Sequence, residues 1–226
     1  MNTHELTAFG RNLPALRVKD AKLYTSQKTL LADLQPGDIL TTTASKNDHD
    51  PKKDPLAWAS EAVFKGVSRG LYGERAHTAI YVGDGKVVEM FDKLQKVPLS
   101  KAVARRDVWV SRPKVPADVR ARAAARADGM HLAVGSEAEY HSPAWLLKLL
   151  INDKVDKRLF KGDADKGFDT KKYICSNLVA KAYEGDVAFT DKPTGFHTPT
   201  DIATSSQNAP VGTYMNTKRW DKGTRT

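Results

Sequence analysis

A chain of 226 residues with 40% hydrophobic and 28% charged residues has the balance of a globular protein built on one moderately sized core. Its single cysteine excludes intramolecular disulfides. The longest apolar run, residues 145–151, is interrupted by Lys148 and is too short for a transmembrane segment. The net charge of +9 predicts affinity for an anionic surface or polymer, but the basic residues are scattered, so no specific nucleic-acid site is expected.

The ends of the chain carry weaker patterns than its middle. Residues 1–30 lack the apolar segment of a signal peptide, so we expect cytoplasmic synthesis without one. We predict an N-terminal extension over residues 1–30, a domain over residues 31–210, and a basic C-terminal tail over residues 211–226.

In the first half of the chain, the run Gln35-Pro36-Gly37-Asp38 predicts a turn that leads into a strand over residues 39–43. Helical apolar spacing follows over residues 58–69. Residues 77–82 and 86–91 then predict the two strands of a hairpin.

The length of the hairpin loop decides which side chains share a face. A two-residue loop places His77 and Glu89 on opposite faces, whereas a three-residue loop over residues 83–85 makes them diagonal neighbours on the face that also carries Tyr81. A left-handed Gly85 at the last loop position favours the three-residue form. That form implies two facing pairs, Tyr81 with Val87 and Ala79 with Glu89.

The second half of the chain contains more helix. Residues 107–112 predict a strand, residues 117–130 an alanine-rich helix, and residues 187–189 a short strand. Shorter apolar patterns predict a helix over residues 145–150, a helix that starts near Cys175 and ends by Gly185, and a turn capped by Thr198 or Thr200.

Cys175 is the candidate nucleophile. In the first turn of a helix, unpaired backbone N–H groups and the helix dipole favour its thiolate. A lone cysteine also fits an ordinary core position, so the functional interpretation requires a base. His77 is the candidate base and Glu89 the candidate group that orients it, while Tyr81 and Ser176 are secondary candidates for contacts to substrate or oxyanion.

The order of these motifs resembles that of the circularly permuted papain-like hydrolases. This permuted NlpC-type group includes the YiiX/YebB-like proteins and, more distantly, the lecithin–retinol acyltransferase-like enzymes, and in it the histidine precedes the cysteine. The resemblance covers roughly residues 31–205, and its matching segments are residues 35–40, 77–89, 107–113, 173–183 and 198–202.

The resemblance implies an α+β papain-like domain, with a central antiparallel sheet and the cysteine helix packed on it. It further implies a cysteine hydrolase or acyl transferase in which Cys175, His77 and Glu89 are catalytic. The sequence Ile174-Cys175-Ser176-Asn177 departs from the Asn-Cys-Glu-His type motif of the acyltransferase branch. Related non-permuted enzymes cut peptide bonds in cell-wall stems, so the resemblance implies peptidoglycan as the first expected substrate, with an acyl lipid as the alternative.

Other polar clusters predict less. Residues 163–167 lack the spacing of a calcium loop, residues 47–50 are typical of a solvated loop, and His197 with Asp201 fits a helix cap better than a second base. We therefore expect no metal and no cofactor.

The rival from another class is a non-catalytic module that binds an anionic polymer through its basic surface. A cell-wall substrate is compatible with the expected lack of a signal peptide if the protein is virion-associated, because the phage particle would then carry it to the wall.

Overall fold

The computed structural model describes residues 21–43, 75–90, 93–104, 106–134, 139–140, 172–190 and 197–215. The helices predicted over residues 58–69 and 145–150 and the clusters at residues 47–50 and 163–167 lie outside these ranges.

Most described residues belong to one sheet and to the helices around it. The strands are β1 (Lys22–Tyr24), β2 (Ile39–Thr42), β3 (His77–Gly83), β4 (Lys86–Met90), β5 (Leu94–Pro98), β6 (Val108–Pro113), β7 (Glu139–Tyr140), β8 (Lys172–Tyr173) and β9 (Asn208–Tyr214). The helices are α1 (Gln27–Asp33), α2 (Leu99–Ala102), α3 (Ala117–Val134), α4 (Cys175–Ala182) and α5 (Pro199–Thr204). No helix in the described ranges is long and apolar enough to cross a membrane.

Seven strands form the main sheet in the order β1-β9-β6-β2-β3-β4-β5, and β7 pairs with β8 separately. Within the main sheet every pairing is antiparallel except that of β1 with β9. The structure therefore confirms the α+β class and a mostly antiparallel central sheet.

Helices cover the sheet on both faces. Ile80 and Val88 point to the face covered by α3, α4 and α5, where they pack against Leu178. The next residues along the strands, such as Ala79, point to the other face and pack with Leu30 of α1. Both faces of the central strands are buried, and residues 79–82 of β3 are accordingly a continuous apolar run.

A buried ion pair fixes the turn that precedes β2. Asp38 is fully buried, and its two carboxylate oxygens accept hydrogen bonds from Nε and Nη2 of Arg112 at 2.8 and 2.7 Å. A third hydrogen bond comes from the backbone N–H of Gln35 at 2.8 Å. A bidentate guanidinium can compensate a carboxylate removed from water, so this pair ties β6 to the turn.

The hairpin has the predicted register but not the predicted loop. Ala79 faces Glu89 and Tyr81 faces Val87, as expected. The loop itself contains two residues, Asp84 and Gly85, both with positive φ, and a register shift between Tyr81 and Gly83 restores the pairing. The three-residue loop is therefore wrong, because a bulge supplies the extra residue within the strand.

Several elements differ from the sequence prediction. Residues 187–189 do not form a strand. Elements β1, α1, β5, α2, β7, β8 and β9 were not predicted, and β1 and β9 carry the main sheet beyond residues 31–210 on both sides. β1 is too short to show alternation, and Pro210 and Gly212 in β9 are residues that usually argue against a strand.

Gly37 provides a test of this packing. Its φ is +89°, and a Cβ there would lie 2.5 Å from the carbonyl oxygen of Arg120 and 2.6 Å from the hydroxyl of Tyr183. We expect Gly37→Ala to lower the free energy of unfolding in urea by about 3 kcal/mol, since backbone strain and overpacking add.

The matched control is Gly129→Ala. A Cβ at Gly129, inside α3, meets no atom within 4 Å. Alanine should therefore raise the free energy of unfolding by about 0.5–1 kcal/mol. Equal effects of the two substitutions would contradict the proposed packing of the turn.

Candidate active site

The hairpin brings the candidate base and its orienting group together. His77 begins β3 and Glu89 lies on β4, diagonally opposite it on one face. His77 Nε2 lies 2.9 Å from Glu89 Oε2, and both side chains are buried. The hydrogen bond expected from the hairpin register is therefore present.

The candidate nucleophile reaches this pair from the other side of the sheet. Cys175 is the first residue of α4, and Leu178 and Val179 of that helix pack into the cluster around Ile80. The Cys175 thiol lies close enough to the His77 ring for the two groups to shift each other's pKa. Pairing of β3 with β4 stops at Ala79, so the sulfur lies where the ladder ends.

The two ring nitrogens of His77 have different partners. Nε2 is bonded to Glu89. This leaves Nδ1 as the nitrogen available to the Cys175 sulfur. One imidazole therefore connects the thiol to the carboxylate, which is the arrangement required of a nucleophile, a base and an orienting group.

The far end of α4 is anchored by contacts of two side chains. The hydroxyl of Tyr183 donates a hydrogen bond of 2.5 Å to the carbonyl of Gly37. Arg126 of α3 donates from Nη1 to the carbonyl of Ala182 at 3.1 Å and pairs with Asp186 at 2.6 Å. A cation at a helix C-terminus is favourable, and these contacts fix the helix relative to the sheet.

The electrostatics favour an ion pair between the thiol and the ring. Burial alone would raise the pKa of Cys175, but the positive charge and hydrogen bond of His77, helped by Thr78, lower it. Burial alone would lower the pKa of His77, but the Cys175 thiolate and then Glu89 raise it to about 9. Between these two pKa values the site holds a thiolate beside an imidazolium.

Glu89 stays ionised although it is only 3% exposed. Burial would raise its pKa, but His77, Arg106 and Gln95 together lower it. Gln95 and Arg106 were not singled out from the sequence. The strand that carries Gln95 shows little alternation, and Arg106 is one of many scattered basic residues.

The secondary candidates have other partners. The hydroxyl of Tyr81 accepts a hydrogen bond from the N–H of Gly85 at 3.1 Å, and Tyr81 lies about 13 Å along β3 from His77. The hydroxyl of Ser176 donates to the carbonyl of His197. A role for either hydroxyl in contacting substrate or oxyanion stays a prediction.

The turn after His197 is a helix cap. The Thr198 hydroxyl accepts from the N–H of Asp201 at 3.0 Å, and the Asp201 carboxylate accepts from the N–H of Thr198 at 2.9 Å. This capping box confirms Thr198 as the cap.

No model of a known protein family matches the sequence, and no curated protein matches it either. Within the described ranges, no group of three or more His, Cys, Asp or Glu side chains is placed to hold a metal ion.

What the arrangement can do chemically follows from its charges. The Cys175 thiolate can attack an electrophilic carbon, and the His77 imidazolium can donate a proton to a leaving group. The first N–H groups of α4 have no acceptor within the helix and can stabilise a developing oxyanion. The thiol is 2% exposed, so its ionisation is best measured without a chemical probe.

A titration of Cys175 tests the ion pair. We expect the thiolate absorbance at 240 nm, taken as the difference from Cys175→Ser, to titrate well below the ordinary thiol pKa of about 8.5. In His77→Gln the cation is lost and burial remains, so the pKa of Cys175 should rise to 8.5 or above. An unchanged pKa in His77→Gln would contradict the ion pair.

Proposed function

We propose that this protein is a thiol hydrolase of amide bonds with the fold of the circularly permuted papain-like enzymes. The observation that carries the proposal is the single buried imidazole that is hydrogen-bonded to the Glu89 carboxylate and interacts electrostatically with the Cys175 thiol. The mostly antiparallel sheet, with the cysteine helix packed on it and His77 preceding Cys175 in the chain, agrees with the resemblance drawn from the sequence.

The first half of the reaction forms an acyl-enzyme. The Cys175 thiolate attacks the carbonyl carbon, and the oxyanion that forms is stabilised by the N–H groups at the start of α4. The His77 imidazolium gives its proton to the leaving amine as the carbon–nitrogen bond breaks. Glu89 keeps the ring oriented throughout and stabilises its positive charge while the ring is protonated.

The second half returns the enzyme to its starting state. Neutral His77 removes a proton from water, the resulting hydroxide attacks the thioester carbonyl, and the acid is released as the carbon–sulfur bond breaks. The Cys175 thiolate and the His77 imidazolium are then restored.

The resemblance and the charge suggest the substrate. Related non-permuted enzymes cut peptide bonds in cell-wall stems, and a protein of net charge +9 is attracted to an anionic wall polymer. Peptide bonds of peptidoglycan are therefore the first substrate to test. The proposal includes delivery to the wall by a carrier such as a virion.

Replacement of the nucleophile tests the assignment. We expect Cys175→Ala to reduce amine release from purified peptidoglycan by at least about 10⁴-fold with the fold intact, because the chain has no second thiol. The matched control is Arg122→Ala, which removes an exposed cation of α3 and should retain turnover.

The outcome also separates the rival functions. Transfer of a labelled acyl chain from phospholipid vesicles, with no amine release, would support a lipid acyltransferase instead. Polymer binding that is identical in wild type and Cys175→Ala, with no turnover of either substrate, would support a binding module and refute the hydrolase.

The pH dependence of hydrolysis gives a further test. The pKa of His77 is raised to about 9, so the imidazolium is present below that pH and is lost above it. We expect kcat/KM, which reports the free enzyme, to fall on the alkaline side with an apparent pKa near 9. The Cys175 thiolate raises this pKa most and the Glu89 carboxylate raises it further, so the limb should move to lower pH in Glu89→Gln. A limb that does not move would contradict the role of Glu89.

A further inference from the structure

The carboxylate of Glu89 has partners on both of its oxygens. Oε2 faces His77 Nε2 at 2.9 Å. Oε1 accepts a hydrogen bond from Gln95 Nε2 at 3.0 Å, and Gln95 lies directly opposite Glu89 in the pairing of β4 with β5. Arg106 Nη1 lies 3.8 Å from Oε2. The carboxylate is therefore surrounded from three segments of the chain.

Glu89 is too deeply buried for water to stabilise its ionised form. Its side chain is 4% exposed and that of Arg106 is 10% exposed. A carboxylate in such a place takes up a proton unless cations and hydrogen-bond donors hold it ionised. Salt screens a buried pair of this kind weakly, which distinguishes Arg106 from the exposed arginines of α3.

We propose that Gln95 and Arg106 are positioning residues that hold Glu89 ionised and in a single orientation toward His77. The two residues have different tasks. Gln95 occupies Oε1, so that rotation of the carboxylate would break a hydrogen bond. Arg106 supplies positive charge beside Oε2, the oxygen that His77 uses. The catalytic meaning of this inference rests on the proposed function, although the contacts do not.

Arg106 also completes the charge balance of the site. Arg106, Glu89, His77 and Cys175 carry charges that alternate in sign and sum to zero when the thiol and the ring are ionised. The side chains that act on Glu89 among the described residues are His77 from β3, Gln95 from β5 and Arg106 from the segment before β6. Without Arg106 the three remaining charged groups have a net negative charge, and burial of an uncompensated charge is energetically unfavourable.

Carboxyl ¹³C NMR of the whole chain measures the charge state of Glu89 without any substrate. Glutamate is labelled at the side-chain carboxyl carbon, and the Glu89 signal is assigned by its loss in Glu89→Gln. The titration is followed in wild type, Arg106→Met, Arg106→Lys and Gln95→Leu. The control is Lys96→Met, which removes a cation of β5 whose partner is Asp128 rather than Glu89.

We expect the pKa of Glu89 to rise by about one unit or more in Arg106→Met, because the nearby positive charge is lost while burial remains. Arg106→Lys keeps the positive charge, so the pKa of Glu89 in this variant should lie close to its wild-type value. Gln95→Leu removes one neutral donor and should give a smaller rise in the pKa. Lys96→Met should leave the Glu89 titration unchanged.

A Glu89 titration that is the same in wild type, Arg106→Met and Gln95→Leu would overturn the proposal. So would an equal shift in Lys96→Met, since it would reflect net charge rather than contact. If Arg106→Met does not fold, Gln95→Leu decides on the same criterion. Shifts of the expected size in a protein that hydrolyses no amide would sustain this inference and count against the proposed function alone.

Discussion

The hydrogen bond between His77 and Glu89 is the interaction on which the candidate site depends. Taken singly, a buried carboxylate and a buried imidazole are each unfavourable in charged form. Joined at 2.9 Å and flanked by a thiol and a guanidinium, they compensate each other. The apolar surroundings then strengthen these attractions instead of opposing them. The pKa of the Cys175 thiol is lowered chiefly by the positive charge of His77 within this group.

The site also depends on contacts that never touch it. The thiol lies at one end of α4, while Tyr183 and Arg126 hold the other end against the turn before β2 and against α3. That turn is itself fixed by the Asp38–Arg112 pair. The position of the sulfur is therefore set by rigid elements, as a site that requires sub-ångström placement demands.

The sequence predicted much of the hairpin, the cysteine helix and the strand after the Pro-Gly-Asp turn, because long apolar patterns and glycine-marked turns are local signals. It also predicted that His77 and Glu89 would meet, because the register of a hairpin decides which side chains share a face of the sheet. It could not identify Gln95 or Arg106, since their importance arises only when β5 and the segment before β6 come alongside Glu89. The parallel pairing of β1 with β9 was equally hidden, because three residues carry too little pattern to predict a strand.

The bulge in β3 has an evolutionary consequence. A two-residue turn alone would send Glu89 to the wrong face, and the single extra residue between Tyr81 and Gly83 reverses that parity. Descendants of this chain can change many hairpin side chains and keep the pairing. An insertion or a deletion of one codon there would place His77 and Glu89 on opposite faces of the sheet. Selection should therefore constrain the number of residues in this segment more strictly than their identity.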